Sequence, residues 1–593
     1  MLNSLPPEVL SAICHALGPS TQVFRPHRRE RLKTLASLAR TSRLLHEPAV
    51  SAIWHTISHI SVLLHTLPQD LWMESATTAS DPEDEGYTVT SFQMRLSCKR
   101  QTSQSDFARL KHYAHRIEHI TPANTSLIAS DVLDALAIHF PAGTLLPNIH
   151  TLSYTSTPSE KYRWLPLLIG PKLRSLRLVG PAPSQVDAEH PNAGPLDCLR
   201  VLSPRICPVL SELTTRMDLE TNIPHINVIS EVIRGFQDLT TVLVPGIPLD
   251  FLAIMHLARL RNLNTLHANP SEEIKQVDYQ YLTSTSASGQ VYFPNLRKIN
   301  LKDRFLAFCT SLLKVVSSPV LDAVTFTTTQ VFGFCCTSED VSELCVELGR
   351  HTSLTSITVT VNSMLTGEHL NRKTFAPLLV LSNLSVLYMN ITHTVDIDNA
   401  FLADMAHAWR KITQLELCVE NPFWDMAFYH PVATLHGLVP FARLCPELEV
   451  LGIPVDADVS RIRRASLERR PVYSKSGLCF LKVGLSVVRD PVPVAAFLSD
   501  VFPALTGVSS AWVDSMGEDM SEDMDGDIGT PEEIGARWDE VVRLMRRFRH
   551  VRGQERVWAA AHGKSQSVAG TYSIHWSGVL QAASRHYCLL PRS

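Results

Sequence analysis

The sequence lacks a strong charge of either sign and lacks a long apolar run. Its 54 lysines and arginines nearly balance its 58 aspartates and glutamates, so the net charge is −4. Such a chain carries no global field that would attract nucleic acid or an anionic membrane surface. No apolar stretch reaches the length of a membrane span, and Pro6, Glu8 and His15 interrupt the place of a secretory signal. We therefore expect a cytoplasmic or nuclear protein that binds neither nucleic acid nor membrane.

Signatures of catalysis are missing as well. The sequence contains no Gly-x-Ser-x-Gly, no His-Glu-x-x-His, no phosphate-binding Gly-x-x-x-x-Gly-Lys and no dinucleotide fingerprint. The twelve cysteines are scattered among apolar residues, which favours reduced thiols in a core. We expect no enzyme, no cofactor and no catalytic residue. A catalytic site assembled from distant positions stays a third and weaker hypothesis.

The first sixty residues predict three short helices. Pro6 and Pro7 suit the start of a helix, because proline pre-sets φ where its missing N–H costs nothing. Apolar residues then recur at helical spacing, at Val9, Leu10, Ile13 and Leu17. A basic break at 25–31 precedes a second apolar series from Leu35, and Pro48 is expected to end one helix and begin another.

This order of residues resembles the F-box of fungal F-box proteins. The matching residues are Leu5, Pro6, Glu8, Val9, Leu10, Ile13, Leu17, the segment 38–43, Pro48, Ile53 and Trp54. The connection from Gly18 to Arg31 is longer than usual, and Ile53 stands where leucine is common. The resemblance implies a module of residues 1–60 that binds a Skp-type adaptor and, through it, a cullin. The adaptor-facing or internal apolar residues would be Leu5, Pro6, Val9, Leu10, Ile13, Leu17, Leu38 and Trp54. The alternative is a helical cap with no adaptor.

Two segments of different composition follow, at residues 61–105 and 106–120. Residues 61–105, acidic at 80–86, are expected to form a linker or surface loop. Residues 106–120 predict a helix that runs into a strand, with Phe107, Leu110, Tyr113 or Ala114, and Ile117 on one side. Many fungal F-box proteins carry a similar segment ahead of their repeats.

From residue 147 a short phrase recurs: an apolar residue, two residues, an apolar residue, one residue and an apolar residue. Its mean period of roughly 30 residues is within the range of irregular leucine-rich repeats. The twelve occurrences begin at Ile149, Leu173, Leu210, Leu239, Leu263, Leu296, Leu321, Leu354, Leu384, Ile412, Leu448 and Leu478. Helical stretches are predicted between them at 226–236, 250–260, 303–316, 338–349, 398–409 and 435–444.

These repeats predict an α/β fold in which the three-helix module precedes a curved leucine-rich-repeat solenoid over 106–510. Its strands would form a parallel inner sheet and its helices an outer layer. A doubly wound α/β enzyme would also alternate strands and helices, but no glycine-rich turn follows any of the phrases. Residues 511–593 would hold an acidic loop at 514–533 and a helix that covers the end of the array. That helix is expected to have Thr530 as N-cap and Glu533 as capping-box acid, with an inward stripe of Ile534, Trp538, Val541, Met545 and Phe548.

Metal-like patterns are weak, and no metal site is predicted. The segment 521–532 fits a calcium loop at several positions, but Ser521 stands where aspartate is needed. His112, His115 and His119 fall at helical spacing, yet no cysteine or carboxylate nearby completes a known zinc set. We therefore interpret these residues as a solvated loop and a partly exposed helix face.

The prediction from sequence is a substrate-recognition subunit of an SCF-type ubiquitin ligase, which holds an unknown protein target on its repeats. The alternative is a leucine-rich-repeat binding scaffold with no ligase role. Side chains between the apolar positions of each phrase should face the concave side, because successive strand residues point to opposite faces. The candidates for target binding are Arg177, His267, Lys298, Asn300, Tyr388 and Glu416.

Overall fold

The computed structural model places a small helical module ahead of one long sheet. It describes residues 5–18, 25–79, 91–124, 128–155, 164–179, 197–216, 227–271, 274, 281, 284, 291–303, 305–328, 336–362, 365–366, 369–419, 430–457, 476–512 and 530–563. The acidic segment 80–86 and residues 521–529 of the calcium-like loop lie outside the described residues.

The N-terminal module consists of α1 (Pro7–Leu17), α2 (Arg25–Thr41) and α3 (Arg43–His55). The three helices enclose a small core of their own, formed by Leu10, Cys14, Leu35, Leu45, Ala49 and Ala52. Proline at the first turn of α1 and Ser42 as the side-chain cap of α3 explain where two of the helices begin.

Two details of this module differ from the prediction. Residues 25–31, expected to be a break, form the first turns of α2, because Arg28 and Arg31 donate hydrogen bonds to the carbonyls of Thr56 and Gly18. Pro48 lies inside α3 instead of separating two helices. The alanines after it are buried in the module core, and this packing carries the helix past the missing N–H.

The next segment contains β1 (Thr56–Ile57), α4 (Ser61–Leu64), β2 (Trp72–Ala79) and β3 (Ser91–Cys98). Strands β2 and β3 form an antiparallel hairpin where a linker or loop was expected. A 3-10 turn (Gln104–Phe107), α5 (Ala108–Ala114) and β4 (His119–Asn124) follow, as the helix-then-strand prediction required, and α6 spans Ser130–His139. Phe107, Leu110, Ala114 and Ile117 are buried in the main core.

In the described part of the chain, fifteen strands form one parallel sheet in the order β1-β4-β5-β6-β7-β8-β9-β10-β11-β13-β16-β18-β19-β20-β21. The strands after β4 are β5 (Thr151–Thr155), β6 (Ser175–Val179), β7 (Glu212–Arg216), β8 (Thr241–Leu249), β9 (Thr265–Pro270), β10 (Lys298–Asp303), β11 (Ala323–Thr328), β13 (Ser356–Val361), β16 (Val386–Ile391), β18 (Gln414–Leu417), β19 (Val450–Gly452), β20 (Phe480–Lys482) and β21 (Gly507–Ser509). Each of the twelve repeated phrases coincides with one of these strands. Two further parallel pairs join β12 (Cys336–Thr337) to β14 (Leu365–Thr366), and β15 (Leu370–Asn371) to β17 (Val395–Asp396).

The repeat is held by the same contacts at each step. The fourth residue of every phrase is buried and pairs in register with its equivalent on the next strand, as Leu152 does with Leu176. Along the repeats, the carbonyl of the residue before a strand accepts hydrogen bonds from two N–H groups of the following repeat. The Glu118 carbonyl, for example, accepts from the N–H groups of His150 at 2.7 Å and Thr151 at 3.1 Å. Stacking therefore satisfies backbone groups and buries the apolar row together.

Helices alternate with the strands and cover the buried side of the sheet. They are α7 (Leu165–Leu168), α8 (Asn227–Gly235), α9 (Phe251–Arg259), α10 (Leu306–Val315), α11 (Ser338–Arg350), α12 (Arg372–Phe375), α13 (Asn399–Ala408), α14 (Val439–Leu444), α15 (Pro491–Val501) and α16 (Pro531–Gly563), with 3-10 turns at Asp197–Val201, Ala376–Val380 and Leu435–Leu438. All six predicted helical stretches are helical. The predicted fold class, a helical module followed by a leucine-rich-repeat solenoid, is confirmed.

The last helix closes the C-terminal end of the sheet. The Thr530 hydroxyl accepts from the Glu533 N–H and the Glu533 carboxylate accepts from the Thr530 N–H, each at 3.3 Å, which is the predicted capping box. Ile534, Trp538, Val541 and Met545 are buried, and Phe548 packs against them. Among the described residues, no helix has both the length and the apolarity needed to cross a membrane.

Candidate protein-binding surfaces

Helix α1 leaves an apolar row in solvent. Leu5, Val9 and Ile13 follow one another at intervals of four residues and keep 38, 41 and 44% of their surface exposed, and Pro6 is exposed beside them. Leu10, on the adjoining face of the helix, is only 3% exposed and lies in the module core. We call Leu5, Pro6, Val9 and Ile13 the exposed row. Contiguous apolar groups that the fold leaves uncovered are typical of a surface that binds another protein.

The other residues predicted to face an adaptor occupy different places. Leu10 is buried, and Leu17 and Leu38 pack against the module core. Trp54 stacks on Tyr113 with 4.5 Å between ring centroids and packs against the core of the sheet. The structure thus separates a solvent-facing set from a set that supports the fold, a division that the helical pattern left open.

Trp54 belongs to the junction between the helical module and the sheet. Strand β1 follows α3 directly and pairs with β4, so the module continues into the first strand of the solenoid. The Arg116 guanidinium lies 2.8 Å from a Glu47 carboxylate oxygen and 3.0 Å from the Ser51 hydroxyl, both on α3. The hydrogen bond from Arg116 lowers the pKa of the Glu47 carboxyl. These contacts fix the module against the sheet.

The side of the sheet opposite its buried row carries a continuous line of residues that are polar except for a leucine and a glycine. We call this side the open face and the line the central row. Register pairs between neighbouring strands join Ser153, Arg177, Thr214, Leu243, His267, Asn300, Thr325, Thr358, Tyr388, Glu416, Gly452, Lys482 and Ser509. Neighbouring parallel strands lie about 4.8 Å apart. An extended protein segment would therefore meet a new side chain at each strand it crosses.

Five of the six predicted target-binding residues lie in the central row, and Lys298 lies two residues before Asn300 on the same face. Arg177 and Lys298 are exposed, whereas His267, Asn300 and Tyr388 are partly buried. Burial lowers the pKa of the His267 ring, and the nearby Lys302 ammonium lowers it further. The predicted residues on this face therefore include two exposed cations, Arg177 and Lys298, beside partly buried hydrogen-bonding groups.

Glu416 differs from the other five because it is 1% exposed. One of its carboxylate oxygens accepts from the Gln414 amide at 2.7 Å, and the other lies 2.8 Å from the Lys482 ammonium in an ion pair outside hydrogen-bonding geometry. Gly452, between them in the central row, makes this possible, since a Cβ there would lie 2.9 Å from Glu416 Cγ. Both oxygens of the Glu416 carboxylate therefore contact other residues of the sheet.

Titratable groups converge at one further place. In the described part of the chain, one set could hold a metal ion, namely His55, Glu118 and His119. The helical spacing of His112, His115 and His119 is not realised on one helix, because His119 begins β4 while the other two lie on or just after α5. The spacing of His55 and Glu118 gave no local signal. What they share is their position immediately before a strand.

A groove of about 580 Å³ lies on the helical side of the solenoid. Its lining residues are Arg234, Phe251, Leu252, Met255, His256, Arg259 and Tyr281. The His256 ring is hydrogen-bonded to the Phe236 carbonyl, and the Arg234 guanidinium is paired with the Asp250 carboxylate at 3.6 Å. These groups are engaged within the fold, and the lining residues that the structure describes include no cysteine or carboxylate side chain.

Comparison with known proteins adds little detail. No protein-family model matches the sequence, and no curated protein matches it. The chain is similar to the crystal structure of the TLR13–ssRNA13 complex, with 14% identity and a TM-score of 0.28 over 68% of this chain and 60% of that one. It is also similar to the Arabidopsis receptor kinase HAESA in complex with the peptide hormone IDA and the co-receptor SERK1, with 12% identity and a TM-score of 0.28 over 68% of this chain and 52% of that one. The chain thus spans less than two thirds of either structure, and its architecture rests on its own strands and helices.

Proposed function

We propose that the chain is the substrate-recognition subunit of an SCF-type ubiquitin ligase and performs no chemistry itself. The exposed row of α1 binds a Skp-type adaptor, which links the chain to a cullin, and the open face of the solenoid holds a protein target. Holding both partners on one body raises the effective concentration of the target at the ligase. The observation that carries this proposal is the exposed row, which nothing else in the described module covers.

The energetic reason is the apolar surface of that row. Removing apolar surface from water contributes about 25 cal/mol per Å², so covering the exposed part of three aliphatic side chains favours association. A charge placed there would have to be desolvated on binding, and central interface residues commonly cost about 2 kcal/mol or more when changed. Such a change should leave the free chain folded, because these side chains contribute little to the module core.

The test uses the full-length chain and a purified Skp-type adaptor. We expect the chain to bind the adaptor and the double variant Val9→Glu/Ile13→Glu to bind at least about 30-fold more weakly. The matched control is Val346→Glu, which changes a valine that is 45% exposed on α11, away from the module. Circular dichroism and thermal melting should be the same for all three proteins. Adaptor binding that survives the double variant would refute the proposed docking surface.

The alternative function is a leucine-rich-repeat scaffold whose N-terminal helices only cap the sheet. The pairing of β1 with β4 favours this alternative, because it makes the module part of the solenoid edge. Deletion of residues 1–60 would remove β1 as well as the helices and would confuse loss of binding with loss of fold. The point variants avoid that problem. A folded wild-type chain that fails to bind the adaptor would leave the scaffold as the better account.

A further inference from the structure

Three side chains at the junction of the module and the sheet form a site with metal-ligand chemistry. Their donor atoms, an imidazole nitrogen from His55, a carboxylate oxygen from Glu118 and an imidazole nitrogen from His119, all lie within 4.8 Å of one another. His55 is the last residue of α3, and His119 is the first residue of β4. All three are partly buried.

The repeat geometry explains why distant residues meet here. His55, Glu118 and His150 each stand immediately before a strand of the sheet. The Glu118 N–H donates to the His55 carbonyl at 3.0 Å, and the His150 N–H donates to the Glu118 carbonyl at 2.7 Å. Equivalent positions of successive repeats are thereby placed one strand spacing apart, about 4.8 Å. The pairing of Thr56 with His119 brings the second imidazole alongside.

The surroundings supply further imidazoles, and among the described residues no lysine or arginine pairs with the Glu118 carboxylate. His150 Nδ1 lies 3.3 Å from a Glu118 carboxylate oxygen, and that nitrogen is buried without a hydrogen bond. The His55 ring lies edge-to-face with the rings of His15 and His119, with centroids 4.8 and 4.9 Å away. Imidazole nitrogens and carboxylate oxygens are among the usual ligands of protein-bound metals.

We propose that His55, Glu118 and His119 bind a divalent transition metal of the Zn²⁺ class at this junction. Zinc takes imidazole and carboxylate ligands at about 2.0–2.2 Å, and two histidines with one glutamate is an established ligand set. Tetrahedral donors at that range are about 3.4 Å apart, so the side chains need to close by about 1 Å. His150 or a water molecule completes the fourth position. Ca²⁺ and Mg²⁺ do not fit, because they prefer oxygen ligands.

The metal would tie the helical module to the sheet. One ligand comes from the end of α3 and two come from the start of β4, so a bound ion adds a cross-link beside the Trp54–Tyr113 stack. This inference does not depend on adaptor binding, since it concerns only the chain's own junction. We expect the metal to stabilise the native chain by an amount that grows with the logarithm of the free ion concentration once that concentration exceeds the dissociation constant.

The test begins with the full-length chain freed of metal by a chelator. Zn²⁺ is titrated by calorimetry, Co²⁺ absorption reports the coordination geometry, and melting is followed with and without Zn²⁺. We expect one tight site per chain and a rise in the melting temperature. Loss of a group that only supports a ligand typically weakens metal affinity roughly 10- to 100-fold. His119→Gln and Glu118→Gln each remove a ligand, so each should weaken the affinity for Zn²⁺ by more than that. Both should also abolish the stabilisation by Zn²⁺.

The matched control is His115→Gln, an exposed histidine four residues from His119 that lies outside the cluster. It should bind Zn²⁺ as the wild type does. Two substitutions at different ligands keep the test informative if one of them disturbs the fold, which circular dichroism would reveal. Absence of a tight site, or equal binding by the wild type, His119→Gln and Glu118→Gln, would overturn the proposal.

Discussion

The buried pair of Glu416 and Lys482 gives the sharpest prediction on stability. The Glu416 side chain is 2% exposed and the Lys482 side chain 22%, so water can hydrate the ammonium but not the carboxylate. Removing one partner of a buried pair costs about 3–5 kcal/mol. Because Lys482 keeps some exposure, we expect Lys482→Met to lower the free energy of unfolding of this region by about 3 kcal/mol. Glu416→Gln should cost only about 1 kcal/mol, because the lysine can reach water.

The double variant separates the charge from the packing. The double variant Glu416→Gln/Lys482→Met leaves no unpaired buried carboxylate. Its free energy of unfolding should therefore be only about 1 kcal/mol below that of the wild type, which corresponds to a coupling energy of about 2–3 kcal/mol between the two residues. The control is Lys298→Met, on the same face but exposed, which should change stability by less than about 0.5 kcal/mol.

Because a solenoid can unfold in parts, the assay should resolve regions. Hydrogen exchange of β18, β19 and β20 in increasing urea reports the local free energy of opening, and circular dichroism reports the whole chain. If Lys482→Met behaves as Lys298→Met does, or if the double variant is as unstable as Lys482→Met, the buried-pair reasoning is refuted.

Three further predictions concern other parts of the chain. Burial lowers the pKa of His436 below its ordinary 6.5, so the unfolded state binds the proton more readily. Stability should therefore fall as the pH drops below 6.5, and His436→Gln should reduce that slope in melts across pH. Trp54→Ala should remove the stack on Tyr113 and lower the free energy of unfolding by about 3 kcal/mol, the low end for a large-to-small change because Trp54 is only partly buried, whereas Tyr113→Phe should be tolerated in thermal melts. Among the described cysteines, exposed Cys479 should react with a thiol reagent in the native chain, and Cys445, whose pKa burial raises to about 12, should not; mass spectrometry of labelled peptides distinguishes them.

The sequence predicts the solenoid well because its signal is local and repeated. Each phrase places a buried aliphatic residue at its fourth position, and the helices between phrases have their own apolar spacing. The capping box at Thr530 and Glu533 is equally local, and the structure has it. The start of α1 at the prolines follows from the same kind of evidence.

The structural features that the sequence did not predict depend on residues that are far apart in the sequence. Strand β1 has only two residues and is a strand because it pairs with β4. Helix α3 passes through Pro48 because its alanines are buried by the other two helices. The burial of Glu416 depends on a glycine and a lysine in the next two repeats, and no local pattern shows this.

The candidate surfaces were only partly predictable for the same reason. The apolar spacing of α1 could not separate Ile13, which faces solvent, from Leu10, which faces the core. The cluster of His55, Glu118 and His119 at the junction was missed because residues far apart in the sequence meet there. Aligning the residue that precedes each strand would have placed His55, Glu118 and His150 in one column.

The central claim is that the chain binds a Skp-type adaptor through the exposed row of α1. Hydrogen exchange of the full-length chain with and without a saturating adaptor tests this most directly. The account predicts slower exchange in α1 and the helices beside it, with the open face of the sheet unchanged. Protection confined to the sheet, or no protection at all, would contradict it.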